Sequence, residues 1–133
     1  MFIDFFLKQW YNNKAVFLTV YYTKGEVFMT ISELIPILRE EAAKKDFSNH
    51  DFMAVQVTIT GENAGVFYSE IKDGKISIEP YDYHDRQCEL VISMDNFIKL
   101  LKGKLDPVAA FTVGKLKVNG DLGKALEFSK ILK

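Results

Sequence analysis

Between Leu101 and Gly123 the chain reads LKGKLDPVAAFTVGKLKVNGDLG, and this stretch restricts the possible folds more than any other. It sets a helix stop, a helix start, a short strand and a second helix start in fixed order. Gly103 follows the apolar run Phe97, Ile98, Leu100, Leu101, where a residue in the left-handed conformation closes a helix. Asp106-Pro107 opens the next helix, with a carboxylate to cap the free amides and a proline in the first turn. Gly114 and Gly120 bracket KLKVN, which alternates as a strand does, and Asp121 is placed to cap the last helix.

Upstream, residues 30–46 read as an amphipathic helix. Ile31, Leu34, Ile35 and Leu38 fall on one side, with Glu40, Glu41, Lys44 and Lys45 on the other. Thr30 and Glu33 fit a capping box, while Pro36 predicts a kink or a helix that becomes regular only there. Four alternating runs follow. Residues 52–60 and 64–71 are joined by a GEN turn, Asp73-Gly74 leads into 75–79, and Pro80 with DYHDR precedes 87–92. Short turns of this kind join antiparallel strands. Ser93 can cap a helix over 94–102, and further helices are expected at 107–113 and 122–132, separated by a strand at 115–119. Strands come first and helices gather late. The expected class is therefore α+β, a mostly antiparallel sheet of about five strands with helices over one face.

These same residues resemble the sterol carrier protein type two (lipid-transfer) domain family. Its closing pattern is matched by Gly103-Lys104-Leu105-Asp106-Pro107, Ala110-Phe111, Gly114-Lys115-Leu116-Lys117, Gly120-Asp121-Leu122-Gly123 and Ala125. Its central hairpin pattern is matched by Gly61, Gly65, Phe67 or Tyr68, Asp73 and Gly74, and its S-x-[DE]-x-F helix by Ser93, Asp95 and Phe97. The resemblance covers residues 30–133. It implies a hydrophobic tunnel between sheet and helices, closed in part by the last helix, and a non-catalytic role in binding or transferring lipid-like molecules. Fatty acids, acyl thioesters, phospholipids and sterol-like ligands all suit such a site. The tunnel residues expected on that basis are Leu34 and Leu38 from the first helix, and Phe97 and Leu101 from the second. Phe111 is expected at one end, Leu126 and Phe128 in the lid, and Cys88, Leu90 and Ile92 in the sheet floor. A protein-interaction or dimerisation module, its cavity filled by side chains, is the competing reading; an acyl-thioester hydrolase is a third.

With 133 residues the chain has room for one core. Apolar residues make up 48% and eleven residues are Phe, which suits either a cavity lining or a Phe-rich core. A net charge of −1 favours no nucleic acid and no anionic membrane. Cys88 stands alone, which excludes an internal disulfide and fits a reducing cytoplasm. No apolar run approaches the roughly 20 residues of a spanning helix, so stable membrane insertion is not expected. Residues 1–28 carry nine aromatic residues and have no counterpart in the family. They read either as an added aromatic helix and strand, covering the cavity or forming a homodimer contact, or as a translated leader. On the second reading Lys24-Gly25-Glu26 encodes a bacterial ribosome-binding sequence just ahead of a native start at Met29, and the lipid-binding domain is 29–133.

Chemistry-bearing constellations are scarce. His50 and His84 sit in polar loops with no third ligand at metal-site spacing. Asp82, His84 and Asp85 read as a turn cluster more simply than as a divalent site. Cys88 falls on the inward face of a strand with Leu90 and Ile92, where a thiol behaves as a small hydrophobe. There is no G-x-S-x-G elbow, Walker loop or dinucleotide fingerprint, so neither an enzyme nor a cofactor is expected. Lys102, Lys104, Lys115, Lys117 and Lys124 are either ordinary solvated lysines or an attraction for a phosphate or carboxylate headgroup. In the last helix Leu122, Ala125, Leu126, Phe128, Ile131 and Leu132 span well over half the circumference, more than surface docking requires.

Overall fold

The computed structural model describes residues 3–11, 14–23 and 26–132, and for residues 3–28 it is the backbone pairing that is described. There β1 (Ile3–Tyr11), β2 (Lys14–Thr23) and β3 (Glu26–Phe28) form an antiparallel sheet of their own, with Tyr11 opposite Lys14 and Thr23 opposite Glu26. Where a helix and a strand are one sequence expectation, the described backbone forms three strands, as a segment dense in aromatic and β-branched residues favours. Met1, Lys24, Gly25 and Lys133, on which the readings of the start and of the domain end turn, lie outside the described residues.

The main body begins with α1 (Ile31–Ala43), opened by the expected capping box. The Glu33 amide donates to Thr30 Oγ1 at 3.2 Å and the Thr30 amide to Glu33 Oε1 at 3.3 Å. The helix runs from Ile31 without waiting for Pro36, because Pro36 and the Ser32 carbonyl it frees both lie on the solvent side. It ends earlier than the sequence pattern suggests. Lys44 caps it, and Asp46 Oδ1 then accepts the Ser48 amide at 2.9 Å in a turn.

Next come β4 (Met53–Thr60), β5 (Gly65–Lys72), β6 (Lys75–Glu79) and β7 (Cys88–Ser93), followed by α2 (Met94–Leu101), α3 (Pro107–Thr112), β8 (Leu116–Gly120) and α4 (Leu122–Ile131). The sheet has five strands in the order β6-β5-β4-β7-β8. Three of the pairings are antiparallel, whereas β7 lies parallel to β4, with Val57 opposite Leu90. The short-turn rule holds for the β4-β5-β6 meander. It does not reach β7, because residues 80–87 carry the chain back across the sheet to the free side of β4.

The turn chemistry of the C-terminal stretch is realised throughout. Gly103 adopts a φ of 71°, and the amides of Gly103 and Lys104 return to Leu100 and Lys99 at 3.1 and 2.9 Å, which closes α2. Ser93, Asp106 and Asp121 each accept an amide three residues on, at 3.2, 2.9 and 3.1 Å. At Gly120, φ is 94° and a Cβ would lie 2.6 Å from the Gln87 carbonyl, so β8 approaches β7 as only glycine permits. The core lies between one sheet face and the helices. It includes Leu34, Met53, Val57, Phe67, Leu90 and Phe97, all buried.

Candidate functional site

A void between sheet and helices lies beneath the C-terminal halves of α1 and α4. Leu38, Glu41 and Lys45 reach it from α1 and the turn after it, Phe67 and Ser69 from β5, and Phe128 and Ile131 from α4. Its volume is about 30 Å³, room for a water-sized molecule and roughly a tenth of a small ligand pocket. The half-buried residues Lys45, Ile76 and Ile131 stand toward solvent, while Phe67 and Ser69 form the floor.

Strand alternation explains the floor. On β5 the buried positions are Phe67, Ser69 and Ile71, and Ser69 is flanked by Val55 on β4 and Ile78 on β6. Ser69 is thus the one polar side chain in an apolar column, 3% exposed, and its hydroxyl has no hydrogen-bond partner among the described residues. Glu41, 6% exposed, is paired with Lys44 at 2.9 Å. The Lys45 ammonium donates to the Ile131 carbonyl at the end of α4, and burial lowers its pKa against the opposing pull of Glu41.

The two roof helices are held by different ties. α1 is bound to the edge strand by Arg39, which donates to the Ile78 carbonyl at 2.9 Å and meets Glu79 at 2.8 Å. α4 rests on Ala125, Phe128 and Leu132, with lateral ties at Lys45–Ile131 and between His50 and Glu127 at 3.3 Å.

Of the residues expected to line a tunnel, Leu38 and Phe128 border this void. Leu34, Cys88, Leu90, Ile92, Phe97 and Leu101 belong to the same buried core and do not border this void. Phe97, for instance, meets Phe67 edge-to-face at 5.7 Å, one ring away from the space. Leu126 is half-buried and does not border the void, because it falls on the opposite flank of α4 from Ile131. Phe111 stands outside, 41% exposed, since the six-residue α3 rests on Pro107 and Ala110 and turns Phe111 to its flank. The wide apolar arc of α4 is accordingly only partly covered, with Leu122 exposed and Leu126 and Ile131 half-buried. Sequence reasoning did not place Phe67, Ser69 or Ile131 at the site, although Phe67 stood in the hairpin pattern and Ile131 in the apolar arc of the last helix. The signal for the first two was a polar residue interrupting an inward-facing apolar register.

The opposite sheet face carries a hydrogen-bond network centred on Glu89. Glu89 accepts from Thr58 at 2.5 Å, Asn119 at 3.0 Å and Gln56 at 3.2 Å, and these donors hold its carboxyl below the ordinary carboxylate range. The loop after β6 lies over this face. Tyr83 gives its amide to Gln56 at 3.0 Å and its hydroxyl to Glu70 at 2.5 Å, and this bond to a carboxylate, with burial, pushes the phenol up to about 12. His84 and Cys88 border one shallow depression where β7 begins and β8 ends, yet no hydrogen bond joins them, and burial pushes the thiol up to about 11. That is the reverse of an activated thiolate. Among the described residues no group of three His, Cys, Asp or Glu side chains is placed to hold a metal, and no helix is long and apolar enough to cross a membrane.

The profile of the SCP-2 sterol transfer family matches residues 31–133, from the first turn of α1 to the end of the chain. The chain belongs to that family. A hydroxysteroid dehydrogenase-like protein 2 of Xenopus tropicalis is 37% identical over 112 residues, covering 80% of this chain and 24% of the relative. The chain thus spans about a quarter of the length of the curated relatives it matches first. Among solved structures, a palmitated sterol carrier protein 2-like 2 from Aedes aegypti superposes with a TM-score of 0.61 at 14% identity, covering 78% of this chain and 95% of that one. The sec-alkylsulfatase Pisa1 of a Pseudomonas species matches with a TM-score of 0.60 at 16% identity, over 79% of this chain and 16% of the sulfatase. At such identities these structures support the α+β fold and its five-stranded mixed sheet. In both longer proteins the family's fold is one part of a larger chain.

Proposed function

We propose that this protein binds and carries lipid-like molecules, without catalysis, in the interface between the inner sheet face and the helices. The observation that carries this reading is the family match over residues 31–133, joined to a void between sheet and helices whose roof includes α4. At about 30 Å³ the void does not admit an acyl chain with α4 seated, so uptake requires α4 to swing or slide away from Phe67 and Ser69. A chain that replaces those contacts gains roughly 0.8 kcal/mol for each methylene buried, enough for micromolar affinity from apolar contact. Fatty acids, acyl thioesters, phospholipids and sterol-like molecules fit this description, with any anionic group lying outward near Lys45. A buried, high-pKa Cys88 without a bonded base supports binding over reaction.

The small size of the void favours a second reading, an interaction or dimerisation module whose cavity is filled by its own side chains. Native mass spectrometry of protein purified without detergent separates the two. A co-purifying lipid mass, one per chain, is expected; a clean lipid-free mass that does not change on incubation with long-chain amphiphiles would favour the module.

A further inference from the structure

Resting on the lipid-binding reading, the geometry points to Ser69 as a ligand-recognition residue, selecting amphiphiles that bring an uncharged oxygen, an alcohol or an ester or thioester carbonyl, to the floor of the site. A hydroxyl buried without a partner is unfavourable, by an amount that matters at the scale of a whole domain's stability, so proteins rarely keep one without use. Ser69 is 3% exposed, borders the void and bonds to nothing among the described residues. Its neighbours on the same face, Phe67, Ile71, Val55 and Ile78, supply neither donor nor acceptor from their side chains.

The charge around the void decides which oxygen belongs there. Glu41 holds a buried carboxylate on the same lining, partnered by Lys44, so a second carboxylate at the floor meets repulsion and desolvation together. Lys45 stands at the solvent side, where a ligand's negative group is stabilised. A neutral oxygen inward and any charge outward satisfies every polar group that borders the space. A plain hydrocarbon satisfies the apolar walls and leaves Ser69 as it is.

The test compares Ser69→Ala with the wild-type chain, using dodecanol and dodecane as competitors of a fluorescent fatty acid, and follows the melting temperature of each unliganded protein. The expected result is dodecanol affinity falling roughly three- to tenfold in Ser69→Ala, the loss of one hydrogen bond, with dodecane unchanged and the melting temperature not lowered. If both competitors weaken equally, if neither changes, or if the unliganded variant melts markedly lower, Ser69 is structural and the assignment fails while lipid binding stands. If neither competitor binds the wild-type chain, the lipid-binding reading falls and takes this assignment with it.

Discussion

The two faces of the five-stranded sheet are built from the same strands yet finished in opposite ways. On the outer face Gln56, Thr58, Glu89 and Asn119 close a hydrogen-bond network, and Tyr83 folds over it to reach Gln56 and Glu70. On the inner face the side chains are apolar apart from Ser69, which has no hydrogen-bond partner among the described residues and stands beside a void. Alternation along β4 and β5 generates both patterns. The difference teaches where to look for function. Buried polar groups that bond to one another hold a face together, whereas a buried hydroxyl without a partner among the described residues, beside a void, marks a place to look for a ligand.

The largest effect expected is on the inner face away from the void. Phe97→Ala removes a fully buried ring that meets Phe67 edge-to-face and should cost about 3–5 kcal/mol in urea unfolding. A loss under about 1 kcal/mol would mean that the core around the void is loosely packed, and would break the division into solid core and fillable space.

On the outer face, Glu89→Ala deprives Thr58, Asn119 and Gln56 of their acceptor and should cost roughly 2–3 kcal/mol. Glu89 also sets an acid limb. Bonds from Thr58 first, then from Asn119, lower its pKa from the ordinary 4.5, so its contribution is complete above that value and is lost as pH falls through the lower, folded value. Unfolding free energies measured from pH 6 downward should decline below about 4.5 in the wild-type chain and more gently in Glu89→Gln. Equal slopes would remove Glu89 from the account.

A smaller effect, on the alkaline side, belongs to Tyr83. Its phenol is raised from 10.0 to about 12, so the folded state keeps a proton that the unfolded state releases. Its contribution is full below pH 10 and is lost between pH 10 and about 12. Tyr83→Phe should cost about 1 kcal/mol at neutral pH and remove that limb, which alkaline titration of tyrosinate absorbance together with unfolding would show. The smallest change expected is Ser69→Ala in the unliganded protein, which should be neutral or slightly stabilising, within about 0.5 kcal/mol, because no bond to a described residue is lost. A clear destabilisation there would erase the contrast between the faces.

Much of this was legible in the chain because local chemistry decided it. Thr30 with Glu33, Ser93, Gly103, Asp106-Pro107 and Asp121 each fix a helix end by a bond to their own neighbours, and each does so in the structure. The inward register of Cys88, Leu90 and Ile92 likewise follows from strand alternation. What was not legible depends on pieces distant in sequence. The parallel pairing of β7 with β4 is set by which sheet edge is free once β5 and β6 have folded back. The location of the void depends on how the helices meet the sheet, and so Phe111 and Leu126 could be named for the site from the resemblance, while Phe67 was read only as part of a hairpin pattern and Ser69 was not singled out.

Central to the account is a ligand that enters beneath α4 against the inner face and leaves the outer face untouched. Heteronuclear NMR titration with palmitate reads this residue by residue. The account predicts that shifts concentrate at Leu38–Lys45, Phe67–Ser69 and Phe128–Leu132 and saturate at one ligand per chain, with Gln56, Tyr83 and Glu89 nearly still. An unchanged spectrum, or shifts confined to the outer face or to exposed α3, would contradict it.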